Sequence, residues 1–170
     1  SIMQKFDLIV IGSGPGGYLC AERAGKAGLR PALIEKRTLG GTCLNEGCIP
    51  TKSLLYCAKQ YQAALHGADY GVTAENVSFD HAKVVARKDG VVRTLVRGVG
   101  AAMKAHGVTV FSAEGRILGK TGERFEIAAG EEVLSAPRLV LASGSSAVIP
   151  PIPGVREGLE SGFVMTNREL

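Results

Sequence analysis

The chain has no tryptophan, and aromatic residues make up only 5% of its 170 positions. A surface that stacks bases needs flat aromatic faces, so single-stranded nucleic acid is a poor fit. Twenty Lys and Arg against 16 Asp and Glu leave a formal net charge of +4, scattered without a basic stripe. That distribution excludes a nucleic-acid groove and suits a small anionic ligand. No apolar run approaches the length of a membrane span, and no leader-like segment stands ahead of the first apolar stretch, so no membrane partner is expected. Ser1 and Ile2 ahead of Met3 read as an appended start. Three histidines and four cysteines offer no second pair at metal-ligand spacing. His81 and His106 read as surface residues. Hydrophobic residues at 45% and charged residues at 21% exclude disordered and fibrous classes, and the length suffices for one core.

Glycine, in contrast, is plentiful, with 23 residues placed at points where chemistry would need them. Phe6 to Ile11 reads as a buried parallel strand. Gly12-Ser13-Gly14-Pro15-Gly16-Gly17 follows directly and fits G-x-G-x-x-G at Gly12, Gly14 and Gly17. In that pattern the first glycine permits a tight turn and the second a close approach to a pyrophosphate. The third permits close helix–strand packing, with the helix N-terminus facing the phosphates. A helix is expected from Tyr18 to Ala27, closed by Gly28, and then a strand from Ala32 to Ile34. Glu35 ends that strand 18 residues beyond Gly17, where a carboxylate can bond ribose hydroxyls. Lys36 and Arg37 stand beside it. Such a βαβ unit binds NAD or FAD, and the fingerprint does not choose between them.

Gly40-Gly41-Thr42-Cys43-Leu44-Asn45-Glu46-Gly47-Cys48-Ile49-Pro50-Thr51-Lys52 comes next. An ideal helix would hold residues five apart at about 8 to 9 Å between Cα atoms, whereas a disulfide needs no more than about 7 Å. A bond between Cys43 and Cys48 therefore requires a break in regular helix, which Gly47 permits. A structural staple is weak, because so short a loop stabilises a fold by only about 2 kcal/mol. A redox dithiol fits the same spacing. The residues alone leave both readings open.

The remainder is read as helices and short strands. A helix is expected over Ser53–Leu65, a loop to Val77, and a long helix from about Phe79 to His106 that Gly98 and Gly100 weaken near its end. Cys20 and Cys57 read as small apolar residues on helices. From Val108 the period becomes 2, giving strands around Val108–Phe111, Arg116–Leu118, Arg124–Ile127 and Glu132–Leu134, a small antiparallel meander at about 108–135. Leu139–Ala142 re-enters as a buried strand, followed by Ser143-Gly144-Ser145 and a proline-rich exit. The fold class expected is α/β, Rossmann-like, with a parallel sheet and that β-meander. One domain spans 1–150, and 151–170 leads away as a linker.

The segment at 40–52 resembles the redox-active stretch of the flavin-dependent disulfide oxidoreductases, and within them the dihydrolipoamide dehydrogenases most. Glutathione reductases are similar, but there a lysine usually follows the proline directly, whereas Thr51 intervenes here. Ala142-Ser143-Gly144-Ser145 resembles the family's Ala-Thr-Gly-Ser, with the hydroxyl kept. The resemblance covers essentially the whole chain and implies an oxidoreductase whose cofactor is FAD, because a dithiol beside the second strand needs an adjacent electron acceptor. It implies a Cys43–Cys48 redox disulfide, with Cys43 exchanging with substrate and Cys48 next to the flavin. Lys52 would lie near the flavin N5 edge. Gly12, Ser13, Gly14, Pro15, Gly16, Glu35, Lys36, Gly41, Thr42, Gly115, Ser143 and Gly144 would complete the FAD site. Gly115 falls where the family's backbone commonly touches the adenine.

The same resemblance implies a parent enzyme that takes electrons from dihydrolipoamide on a lipoyl domain and passes them to NAD. That parent would be a cytoplasmic homodimer contributing to cell redox homeostasis. The family's NAD domain, toward which 151–170 would lead, has no counterpart here. Neither do its His–Glu acid–base pair and its later Gly-Asp segment. The chain alone is thus expected to be inactive and to hold FAD weakly. Alternatives are a glutathione or mercuric reductase type, or a non-catalytic dinucleotide-binding module.

Overall fold

The run Leu8–Ile11 is apolar at every position because both of its faces are covered. A computed structural model describes residues 3–170, so Ser1 and Ile2 lie outside the described residues. β1 (Gln4–Lys5) leads into β2 (Leu8–Ile11), the glycine-rich loop, and α1 (Pro15–Lys26). β3 (Pro31–Glu35) follows, then α2 (Gly41–Asn45), α3 (Cys48–Leu65), a 3₁₀ turn at Gly67–Tyr70, and α4 (His81–Ala105). After it come β4 (Thr109–Ser112), β5 (Gly115–Thr121), β6 (Arg124–Ala129), β7 (Glu132–Ala136), β8 (Leu139–Leu141) and α5 (Val155–Ser161).

The parallel sheet has the order β4-β3-β2-β8. Period-2 alternation sends Leu8, Val10 and Leu33 toward α1 and α4, where they pack with Ala21, Val99 and Met103. Ile9, Ala32 and Ile34 point the other way, against Ile127 and Leu134 of a second sheet ordered β1-β7-β6-β5. The α/β class with a parallel sheet and an antiparallel meander is as expected. β4, read from its period as part of the meander, belongs instead to the parallel sheet. It pairs Thr109 to Ser112 with Ala32 to Glu35, because the long α4 crossover returns the chain to that edge. The meander proper is β5 to β7.

Two helices start earlier than expected, α1 at Pro15 rather than Tyr18 among them. α3 starts at Cys48 rather than Ser53, with Pro50 in its first turn, where a missing N–H costs nothing. α4 runs through Gly90, Gly98 and Gly100 unbroken, because packing outweighs about 1 kcal/mol per glycine. Asp80 caps α4, its Oδ1 accepting from the Lys83 amide at 3.1 Å. Asp80→Ala should therefore lower stability by about 1 kcal/mol in a thermal melt, without changing thiol chemistry. Segment 151–170, read as a linker, contains α5 between Gly154 and Gly162 and returns to touch the loop between Cys43 and Cys48.

Candidate functional site

The ends of β2 and β3 open onto one cavity of about 1020 Å³. Gly12 (φ 98°) turns the chain out of β2, its N–H donating to Ile34 O at 2.8 Å. A Cβ there would sit 2.1 Å from Ala142 O, so only glycine lets β8 run alongside. Gly14, Pro15 and Gly16 line the cavity, so the positive end of α1 opens on it; Pro15 has no N–H and the Gly17 N–H donates to Gly14 O at 2.9 Å. Ser13 is fully buried, and its hydroxyl donates to Glu35 Oε2 at 2.5 Å. The Ser13 and Arg37 amides also donate to Glu35, at 3.0 and 2.8 Å. This carboxylate is held at the strand end with acceptor capacity left over.

The segment carrying the cysteines is tied to this loop. The Gly40 N–H donates to Ser13 O at 2.9 Å. Gly41 (φ 61°) lies against Gly14 so closely that a Cβ on it would be 2.5 Å from the Gly14 Cα. Cys43 lies in α2 and Cys48 opens α3. The helix breaks between them at Glu46 and Gly47, and both are free thiols in this structure. Asn45 braces the turn by donating to Leu39 O and Gly41 O at 3.0 and 2.9 Å.

Cys48 beside it holds the Cys43 thiol above the ordinary thiol range, since a protonated sulfur gains a hydrogen-bonding neighbour. Partial burial adds to this. The Cys48 backbone N–H and the Lys52 cation pull the other way by favouring the thiolate. Two neighbouring sulfurs, one of them opening α3 with a cation one turn on, can open and close a disulfide.

Thirteen of the 15 expected site residues, all but Cys48 and Lys52, line the cavity: Gly12 to Gly16, Glu35, Lys36, Gly41, Thr42, Cys43, Gly115, Ser143 and Gly144. Cys48 and Lys52 lie on exposed positions of α3, linked to the cavity through Cys43. Cys20 and Cys57 are half-buried and away from it, Cys20 packing on the core. Arg37, noted in the sequence beside Glu35, lines the cavity as well, and so do Asn45, Glu46, Glu114, Asn167 and Arg168, to which the sequence assigned no role. Asn45 and Glu46 stand inside the cysteine segment, which was the available signal. Nothing local marks Asn167 or Arg168. Among the described residues, no His, Cys, Asp and Glu group could hold a metal, and no helix is long and apolar enough to cross a membrane.

Comparison with known proteins agrees with this geometry. The chain is 45% identical over 168 residues to a dihydrolipoyl dehydrogenase of Acholeplasma laidlawii, covering 98% of this chain and 49% of that protein. It is 41% identical over 164 residues to a dihydrolipoyl dehydrogenase of Chlamydia trachomatis serovar D, covering 96% and 35%. The chain thus spans half or less of these relatives' length. Among solved structures it resembles the Cu(II) complex of RclA, an HOCl-induced flavoprotein disulfide reductase from Escherichia coli. That likeness has a TM-score of 0.72 and 27% identity, covering 89% of this chain and 31% of RclA. The model of the pyridine nucleotide-disulphide oxidoreductases matches residues 6–169, and the chain belongs to that family.

Proposed function

We propose that the chain is the FAD-binding, dithiol-bearing portion of a dihydrolipoyl dehydrogenase. The observation that carries this reading is one continuous cavity running from the glycine-rich loop to Cys43. Its volume sits at the upper end of the range for small-molecule sites, roughly 300–1,000 Å³, as an extended dinucleotide needs. The residues present fit that group. The α1 N-terminus suits a pyrophosphate, Glu35 suits ribose hydroxyls with Lys36 beside it, and Gly115 presents its backbone to the cavity for an adenine edge. Gly41, Thr42, Ser143 and Gly144 supply backbone and hydroxyl groups along the remaining wall.

Held by these residues, FAD would supply an acceptor for the dithiol's electron pair and, in the longer parent, a hydride donor toward NAD⁺. The chain's own residues do the sulfur chemistry. One thiolate of dihydrolipoamide attacks Cys43 in the oxidised pair, and the Cys48 thiolate leaves. The second substrate thiol then attacks the mixed disulfide, releasing Cys43 as a thiol and the substrate as a cyclic disulfide. Lys52 stabilises the anionic state of this corner. The lipoyl-domain substrate, the NAD site and a homodimer belong to the longer parent, as its dihydrolipoyl dehydrogenase relatives support. A cytoplasmic setting suits the reading, since other thiols stay reduced there.

Flavin fluorescence titration tests it. Glu35→Ala should weaken FAD binding by about 1.5 to 3 kcal/mol, the range for a hydrogen bond to a charged group. Unchanged affinity would remove Glu35 from the ribose. A wild-type chain that neither quenches flavin nor forms a Cys43–Cys48 disulfide would remove the whole reading.

A further inference from the structure

A carboxylate sits inside the loop that joins the two cysteines. Glu46 is three residues from Cys43 and two from Cys48, and its side chain is only 11% exposed. A bare anion there would oppose thiolate formation. It is not bare: Oε1 pairs with Arg37, and Oε2 accepts from Arg168 Nε at 3.2 Å. The Glu46 carbonyl also accepts from Asn167 Nδ2 at 3.0 Å, and its N–H donates to Thr42 O at 2.8 Å. Arg37 in turn donates its amide to Glu35. Three distant segments, the β3 end, the cysteine loop and residues 166–170, therefore converge on one side chain.

We propose that Glu46, held between Arg37 and Arg168, is a positioning residue for the dithiol, pinning the loop and balancing its charge so that the Cys43–Cys48 pair closes readily. The inference rests on the redox reading above. Pinning keeps the two sulfurs together and favours the disulfide. Charge balance acts with it, because removing the carboxylate leaves two guanidiniums that stabilise the thiolate, and hence the reduced form. The groups that act directly on Cys43 are Cys48 and Lys52 on α3, while Glu46 stands in the loop between the cysteines with Arg37 and Arg168 on its carboxylate.

The test equilibrates the chain with mixtures of glutathione and glutathione disulfide and maps alkylated peptides by mass. As the S–S bond forms, the two thiols lose two protons and two electrons, and glutathione disulfide accepts them, giving two glutathiones. Glu46→Gln should shift the equilibrium constant about fivefold toward the dithiol, the size of a partly buried ion-pair contribution. Its Cys43 alkylation profile should move to lower pH. Arg168→Gln, at a half-exposed site with little folding risk, should move the profile to higher pH and shift the equilibrium toward the dithiol by less than E46Q, because the lost pin and the lost cation act in opposite directions. Arg168→Lys should restore most wild-type behaviour, and the double variant E46Q/R168Q should return the profile near wild type. Unchanged equilibria in both single variants overturn the proposal. Equal shifts without the opposed pH movements reduce the network to a brace and overturn it too. A wild-type chain that forms no Cys43–Cys48 disulfide at any ratio removes the redox reading itself.

Discussion

Gly12→Ala should cost the fold about 4 kcal/mol, because overlap with packed backbone and left-handed strain add together. The new Cβ would lie 2.1 Å from Ala142 O and 3.1 Å from the Ser143 Cα, at a residue with φ of 98°. Neither neighbour can yield cheaply. Both belong to the chain leaving β8, whose Ala142 amide donates to Ile11 O at 2.8 Å. Gly16→Ala is the control: nothing lies within 4 Å of its Cβ position. It should change stability by no more than about 0.5 kcal/mol. Urea unfolding of the two variants reads both, and equal midpoints would contradict the geometry of the loop.

Cys43→Ala or Cys48→Ala, placed singly in the longer parent, should lower dihydrolipoamide-driven turnover by about a thousandfold or more, the scale of losing an essential nucleophile. Cys20→Ala and Cys57→Ala should leave it nearly unchanged, since neither sulfur reaches the cavity. The pH dependence adds a sign. With Cys48 beside it, Cys43 holds its proton above the ordinary thiol range, so its thiolate fraction at neutral pH is reduced. Cys48→Ala removes the first cause of that shift. The alkylation profile of Cys43 should then move to lower pH, with Lys52 and the α3 amide still favouring the anion. A profile that stayed in place would mean that the two thiols do not interact.

How much of this was legible in the sequence depends on how far apart the interacting residues lie. The βαβ unit announces itself, because strands covered on both faces leave unbroken apolar runs and the glycines between them are adjacent in sequence. Most of the cavity wall follows from those same local patterns. β4 was misplaced because a short apolar run carries no mark of which sheet it joins; the preceding helix decides that. The start of α3 was missed because Pro50 reads as a break, although the first turn of a helix tolerates it. α5 was hidden by three prolines before it and by the shortness of seven residues without an apolar stripe. Arg168 reaches Glu46 across 122 positions, a pairing that no local window contains.

The close meeting of Gly14 and Gly41 makes tolerance to substitution one-sided. The Gly14 backbone occupies the volume that a side chain at 41 would need, 2.5 Å from its Cβ, whereas a Cβ at 14 would meet only the Gly41 Cα, at 3.9 Å. A randomised library spanning both positions should therefore retain glycine at 41 whatever stands at 14. A small residue at 14 should be accepted without moving the loop that carries Cys43. Drift in the sulfur loop is thus confined by the nucleotide loop, while the nucleotide loop keeps its own freedom at this contact.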